Sequence, residues 1–513
     1  MEKKLAELKA RQAEIHDLRA ARAVLGWDQA AYMPEGGGPA RARQTALLGR
    51  LAHERLTDPA LARLLDDLAP YETSLPYDSD DASLIRFVRR THEMAARVPA
   101  EFMAGAEEHF ATTFQAWMAA RPANDFEAVR PFLARSLELS RRFAGYFPDH
   151  EHVADPFIAL QDYGLTVSTL RPLLAELRQR LVPLVQAIVA RPAADASCLK
   201  QHFPAAQQWE LSLEVLERMG YDFRRGRQDQ APHPFTTAFS IGDVRVTNRV
   251  RERDLGEAFF GALHEGGHAL YEQGIDPGLE GTLLAEGTSA GVHESTSRLW
   301  ENLVGRSLPF WRFYYPRFQA AFPEQLGSVS LDTFHQAINK VQRSLIRTEA
   351  DEMTYDLHIM LRFDFELEML EGKLAVKDLP EAWRERFRQD MGIVPPDDRD
   401  GVMQDVHWFW GFVGGAFQGY TLGNILGAQF FEAALRRHPE IPGEMEQGEL
   451  GTLHRWLREN VYRHGSKFTT AELVDRVTGG PLSIEPYLRY LGQKFGELYS
   501  LQQVVGEEND SRS

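Results

Sequence analysis

One stretch of the chain, 235–250, stands apart from the helical spacing that runs through the rest. Phe235-Thr-Thr-Ala-Phe-Ser-Ile-Gly-Asp-Val-Arg-Val-Thr-Asn-Arg-Val250 alternates, is rich in Thr and Val, and turns at Gly242-Asp243, which predicts a small hairpin. Elsewhere apolar residues recur every three or four positions, as with Leu5, Leu8, Ile15, Leu18 and Leu25 in the first thirty residues. Met33-Pro34-Glu35-Gly36-Gly37-Gly38-Pro39 breaks the pattern, and helix-like segments follow at 40–56, 59–70, 80–98, 99–120, 125–146, 168–191 and 204–219. Past the hairpin the chain reads as helical to its end, punctuated by Pro309, Pro323, Pro395-Pro396, Pro439, Pro442 and Pro481. The predicted fold is mainly α, a large helical body with a cleft. At 513 residues, two lobes or two to three domains are expected.

The hairpin leads into His264-Glu265-Gly266-Gly267-His268. Residues four apart share a face of a helix, so His264 and His268 can present two imidazoles to one metal ion. Glu265 projects beside them, within reach of a metal-held water without being a ligand. Asp254 with Glu257 three residues on reads as a capping box, and Gly274 is placed to end the helix. Leu255, Phe259, Leu263 and Leu270 give this helix an apolar side. Two adjacent glycines inside a helix cost about 1 kcal/mol each relative to alanine, which implies close approach of something to that turn. The strand next door has a functional reading, an edge that holds an extended peptide, and an equally good structural one, a ribbon patching the helical body.

Composition excludes several classes. With 57 Lys and Arg against 74 Asp and Glu, the formal net charge of −17 argues against binding nucleic acid or an anionic membrane surface. Cys198 is the single cysteine, so neither an intrachain disulfide nor a Cys-based zinc cluster can form. The first ten residues carry Glu2, Lys3, Lys4, Glu7 and Lys9 and no apolar signal segment, and no apolar run reaches the length of a membrane span. A cytoplasmic protein is expected.

A hydrolytic zinc takes three protein ligands and leaves one position open. Gly274 stands where the extended metzincin pattern H-E-x-x-H-x-x-G-x-x-H needs its third histidine, which excludes that class. A G-A-M-E-N aminopeptidase signature is absent. Acidic candidates for the third ligand are Glu280, Glu286 and Glu294. Glu294 ranks first, because G-T-S-A-G-V-H-E-S-T-S-R-L-W-E-N can form a second helix against the first; Glu286 stays open, and His293 would face another direction on that helix.

H-E-x-x-H followed by H-E-S resembles the carboxypeptidase Taq family of zinc metallocarboxypeptidases, peptidase family M32. Asp155-Pro156-Phe157, His233-Pro234-Phe235, Ile346-Arg347-Thr348-Glu349-Ala350-Asp351 (I-R-x-x-A-D) and Gly401-Val402-Met403-Gln404-Asp405-Val406-His407-Trp408 (G-x-x-Q-D-x-H-W) extend the resemblance. It runs from Gly26-Trp27-Asp28 to Pro486-Tyr487-Leu488-Arg489-Tyr490-Leu491. The resemblance implies a two-lobed helical metallopeptidase with a deep active-site cleft, a short β ribbon beside the metal, and a homodimer. It implies stepwise release of C-terminal amino acids with broad specificity. Carried onto this sequence, His264, His268 and Glu294 would bind one zinc per chain, with cobalt as a substitute, and Glu265 would be the general base.

Two further roles are expected. The motif of Tyr420 and His407 is similar to the pattern of hydrogen-bonding residues in helical metallopeptidases, which makes them candidates, one or both, to stabilise the tetrahedral oxyanion, against a buried structural hydrogen bond as the competing role. A fixed guanidinium pairs bidentately with a free C-terminal carboxylate, and the resemblance singles out Arg347 of I-R-x-x-A-D among the many arginines as that clamp; the competing role is an ion pair with Glu349, Asp351 or a neighbour. Asp351 and Asp155 read as supporting groups. Two departures from the family pattern stand out, Gly266 in place of a larger residue and Gln418-Gly419 before Tyr420-Thr421-Leu422-Gly423-Asn424, and they bear on side-pocket shape and tyrosine placement. One peptidase unit over 1–505 with a polar tail at 506–513 is expected, acting on peptides with a free C-terminus. The alternatives are a helical-cleft zinc endopeptidase cutting short peptides, and a helical scaffold that keeps metal only for stability. An intact Glu265 argues against the scaffold, since a structural zinc needs no base.

Overall fold

The helices open and close on the residues that favour such ends. Asp58 accepts the Ala60 N–H, Ser79 that of Ala82 and Asp125 that of Ala128, opening helices Pro59–Ser74, Asp80–Ala96 and Phe126–Ala144. Each cap satisfies one of the four N–H groups that a helix start leaves unbonded. The segments expected at 1–30, 40–56, 168–191 and 204–219 are Glu2–Ala31, Gly38–Leu56, Val167–Val189 and Ala205–Met219. The computed structural model describes residues 1–501, and the tail expected at 506–513 lies outside the described residues. No helix among those described is long and apolar enough to cross a membrane.

The chain builds two units. One comprises Met1–Pro99, Ser197–Leu331 and Phe430–Pro481; the other comprises Ala100–Ala196, Asp332–Gln429 and, among the described residues, 482–501. Among the described residues, all named strands lie in the first unit. Strands β2 (Thr236–Ser240) and β3 (Asp243–Asn248) form the expected hairpin, with Thr236 opposite Val246 and an irregularity between Ala238 and Ser240. A third strand, β1 (Gln228–Gln230), pairs parallel to β3 and gives the order β1-β3-β2. Its Gln-Asp-Gln sequence has no strand propensity of its own, so only the β3 edge makes it a strand.

The sheet is fastened to the helix that carries the metal motif, Leu255–Gly274. Asn248 at the end of β3 donates its side-chain N–H to the Ala258 carbonyl at 2.9 Å. Asp254 caps the helix by accepting the Gly256 N–H. The capping box expected with Glu257 does not form: the Glu257 carboxylate turns to Arg249 and Arg251, and two guanidiniums outcompete a single backbone N–H. The helix ends at Gly274, where a Cβ would sit 2.8 Å from Tyr462 Cβ. Leu255, Phe259, Leu263 and Leu270 are all buried.

The glycine pair has a packing cause. A Cβ on Gly267 would lie 2.7 Å from the Ser297 Cα and the Thr296 carbonyl oxygen, so bare backbone meets bare backbone there. A Cβ on Gly266 would instead meet the side-chain ends of Leu216 and Met219, at 2.6 and 2.9 Å. The first contact cannot relax without moving the neighbouring helix; the second needs only rotamer shifts. Gly267→Ala is therefore expected to cost about 2–3 kcal/mol in urea unfolding and to weaken metal retention. Gly266→Ala is expected to cost less than about 1 kcal/mol, because gained helix propensity offsets the crowding. Equal effects of the two substitutions would refute this assignment.

Candidate active site

In the first unit, His264, His268 and Glu294 offer ligand atoms that all lie within 4.8 Å of one another. His264 Nε2 and His268 Nε2 stand 3.7 and 3.4 Å from Glu294 Oε2. Glu294 comes from helix Ala290–Arg298, which Ser289 caps by accepting the Val292 N–H. Of the other acidic candidates, Glu280 accepts the Ile241 N–H at 2.9 Å, and neither it nor Glu286 joins this group.

Both imidazoles are held at their far nitrogens, which leaves each Nε2 facing Glu294. His264 Nδ1 is 2.9 Å from Glu301 Oε2, on a π-helical turn over Leu299–Val304. His268 Nδ1 is 2.6 Å from His293 Nδ1, and His293 Nε2 is 2.6 Å from Glu272 Oε1. His293 does face away from Glu294, and that direction puts it behind His268. Arg298 pairs with Glu294 at 2.8 Å and with Glu301 at 3.3 Å, and Arg306 adds a second guanidinium to Glu301.

The charges follow from these contacts. Burial pushes against ionisation of Glu294, but Arg298, His264 and His268 outweigh it and hold the carboxyl well below the ordinary range. Burial lowers His268 to about 4, leaving a neutral ring with a lone pair to offer. For His264 burial is outweighed by the Glu294 charge and the Glu301 hydrogen bond, and the pKa rises to about 9, so without an ion the ring carries a proton that a divalent cation at Nε2 would displace. Two imidazole nitrogens and one carboxylate oxygen, each with its remaining atoms tied down, suit a divalent ion of the zinc type. Glu265 is 6% exposed and does not need to be a ligand; burial pushes its pKa up against the pull of His264 and Thr236. The Thr236 hydroxyl on β2 lies 2.8 Å from Glu265 Oε2 and 2.9 Å from the Glu265 carbonyl oxygen, which fixes the carboxylate and leaves Oε1 for other work.

In the second unit, Arg347, His407 and Tyr420 come together. Arg347 opens a single 3₁₀ turn, Arg347–Glu349, and its backbone N–H donates to Gln404 at 2.8 Å. Its Nε lies 3.1 Å from both Asp405 oxygens, its Nη2 2.8 Å from Oδ1, and its Nη1 3.1 Å from the Tyr355 hydroxyl. The Gln and Asp of G-x-x-Q-D-x-H-W thus hold the Arg of I-R-x-x-A-D. The ion partner of Arg347 is Asp405, while Asp351 accepts backbone N–H groups of Gln342, Met353 and Thr354. Asp155 likewise accepts from the backbone of His152 and Val167.

His407 Nε2 lies 3.5 Å from the Tyr420 hydroxyl, and Arg347 Cζ lies 5.3 Å from the Tyr420 ring centroid. Burial, with the nearby Arg347 and Arg362 charges, lowers His407 to about 4 against the pull of Asp405, so the ring is neutral at pH 7. Tyr420 is placed by its own motif: Thr421 and Asn424 both donate to Asp356 Oδ1, at 2.8 and 2.9 Å, and Tyr487 donates to Oδ2 at 2.6 Å. The Gln418 departure is a buried side chain whose amide donates to the Gly415 carbonyl at 3.0 Å. Gly415 itself sits at φ 69° with its Cα side against Phe157, where a Cβ would be 2.6 Å from the Phe157 carbonyl carbon.

Beside this loop, Trp408 donates to Glu366 at 3.0 Å, yet burial pushes the Glu366 pKa up from 4.5 to about 7. Between those values the folded protein holds a proton that the unfolded chain has given up. Stability therefore falls as pH rises across that window. Glu366→Gln lacks this titration, so its unfolding free energy should gain on the wild type by about 2–3 kcal/mol between pH 4.5 and 8. Parallel curves for the two proteins would contradict this.

Sequence reasoning did not reach Glu301, Glu272, Thr236, Arg362, Asp356 or the grip of Asp405. All act between distant segments, and only Gln404-Asp405 inside a motif signalled a partner.

A largely helical body that sets an H-E-x-x-H helix against a second helix bearing a carboxylate has the makeup of a helical metallopeptidase. Residues 7–495 match the family model described as carboxypeptidase Taq (M32) metallopeptidase, and the chain belongs to that family. It is 40% identical over 500 residues to thermostable carboxypeptidase 1 of Thermus thermophilus, covering 95% of this chain and 97% of that protein. It is 37% identical over 486 residues to carboxypeptidase 1 of Bacillus subtilis, covering 94% and 96%. The crystal structure of an M32 carboxypeptidase from Deinococcus radiodurans superposes with a TM-score of 0.94 at 46% identity, covering 97% of this chain and all of that one. The chain is a metallocarboxypeptidase hydrolase with a mainly α fold.

Proposed function

We propose that His264, His268 and Glu294 hold one zinc ion, for which cobalt can substitute, and that the enzyme releases C-terminal amino acids stepwise with broad side-chain tolerance. The observation that carries this reading is the His-His-Glu donor set with Glu265 pinned beside it by Thr236. When bound, the ion supplies Lewis acidity to a carbonyl and to water. Glu265 takes a proton from water at Oε1, the oxygen Thr236 leaves open, and returns it to the departing amine. Tyr420 and neutral His407 are hydrogen-bond donors for the developing oxyanion. Arg347 pairs with the free carboxylate of the peptide and makes the enzyme an exopeptidase. Resemblance supports a homodimer and one peptidase formed by the whole of 1–505, and a single cysteine suits a reducing, cytoplasmic setting.

Glu265→Gln is expected to keep its metal by elemental analysis while kcat falls by roughly 10²–10⁴. Wild-type turnover in that variant would remove Glu265 from the mechanism. Chelation should abolish activity, and zinc or cobalt add-back should restore it.

A peptide with a free C-terminus should yield a ladder of C-terminally shortened products in mass spectrometry, and its C-terminal amide should not. Arg347→Ala should raise KM for the acid by at least roughly tenfold and erase the preference over the amide. Internal cleavage of both peptides, without a ladder, would instead make this an endopeptidase.

A further inference from the structure

Beneath Arg347, two buried guanidiniums share one carboxylate. Asp405 accepts from Nε and Nη2 of Arg347 and, through Oδ2, from Arg362 Nε at 2.5 Å. Arg362 is fully buried. Its Nη1 donates to the His358 carbonyl at 2.6 Å, and its Nη2 has no hydrogen-bond partner among the described residues. Its Cζ stands 4.7 Å from the Trp383 ring centroid and 5.6 Å from that of Phe417, so aromatic faces rather than anions surround the rest of it.

The charges do not balance. Burial lowers Arg362 only to about 10, so it stays protonated at pH 7. Burial works against Asp405 ionising, but the two guanidiniums hold it below the ordinary carboxylate range. Of the basic groups beside them, His407, 3.9 Å from Asp405, is neutral at pH 7, and burial with the Arg362 charge pushes His358 well down, so it is neutral too. Two positive groups and one negative leave a surplus of one positive charge. A buried surplus charge is costly, and a purely structural pair would not need it, since Asp405 and one arginine already make a closed ion pair. Arg347 alone meets solvent, at 7% exposed against 0% for Arg362. Of its five N–H groups, two go to Asp405 and one to Tyr355, which leaves one on each Nη for a second anion.

We propose that Arg362 is a positioning residue for C-terminal recognition: by sharing Asp405 it keeps Arg347 both anchored and positively charged, and the α-carboxylate of the peptide is the second anion that closes a square of two guanidiniums and two carboxylates. Without Arg362, Asp405 would neutralise Arg347 alone, and the clamp would keep its shape but lose its charge. This rests on Arg347 being the clamp, so Arg347→Ala is run in parallel.

The test uses the full-length zinc-loaded enzyme and one short peptide. KM and kcat are measured for the free acid, and the inhibition constant for its C-terminal amide. Arg362→Gln is expected to raise KM for the acid about tenfold, with kcat and amide inhibition changed less than about twofold. Arg362→Lys, which keeps the charge, should return KM to within about threefold of wild type. An Arg362→Gln protein with native circular dichroism and full zinc content but unchanged KM overturns the proposal. Should that variant not fold, Arg362→Lys decides: near-wild-type KM supports the charge account, and a tenfold rise sinks it. Unchanged KM in Arg347→Ala places the fault in the clamp itself and removes the proposal with it.

Discussion

The bare contact at Gly267 is the constraint on which the metal centre depends. A helix presents His264 and His268 on one face at no cost, but the carboxylate that completes the set sits on another helix. Glu294 is two residues from Thr296, and Thr296 is where the backbone of its helix meets Gly267. Any Cβ at 267 would push that helix outward, and Glu294 Oε2, now 3.4 Å from His268 Nε2, would move with it. Each glycine weakens the helix locally by about 1 kcal/mol, and at Gly267 this is tolerated because no other residue type permits that approach.

Both clusters then solve one electrostatic problem in the same way. A half-buried carboxylate is ionised against the cost of desolvation and shared between two partners that it holds in register. Glu301 does this for His264 and the Arg298–Arg306 pair, and Asp405 does it for Arg347 and Arg362. Each anchor is itself unsuited to direct chemistry because its oxygens are occupied. The groups left with open atoms, Glu265 Oε1 and the outer N–H pair of Arg347, are the ones assigned contact with substrate.

What the sequence made legible was what is local. Helical periodicity, the alternation at 235–250, and the four-residue spacing of His264 and His268 depend on neighbours along the chain and form as expected. The helical run expected past the hairpin is, however, interrupted at 339–354 and 392–406, where Arg347 and Asp405 lie outside any α-helix. Strand β1 was illegible because Gln228-Asp229-Gln230 acquires its conformation from β3. The capping box at Asp254 was misread for a related reason: the local pattern is right, but Arg249 and Arg251 compete for Glu257 with full charges. His293 shows the limit most clearly. Its direction away from Glu294 could be read from helix geometry, but that His268 stands in that direction depends on how two helices cross.

The two departures from the family pattern have different physical content. At Gly266 the missing side chain is replaced by its neighbours, since Leu216 and Met219 reach into the space a Cβ would enter, so volume is conserved across the helix pair rather than lost. Nothing about the His264, His268 and Glu294 cluster changes, because Gly266 points to the Ala205–Met219 helix and not to Glu294. Gln418 is different. Its buried amide donates to Gly415, and Gly415 and Phe157 are in backbone contact, so this residue secures the loop directly before Tyr420 by a hydrogen bond. A proline at that position would offer no such donor, and tyrosine placement would then rest on Thr421, Asn424 and Asp356 alone. The departure therefore adds a restraint on Tyr420, whose position is fixed by contacts on both sides of it along the chain.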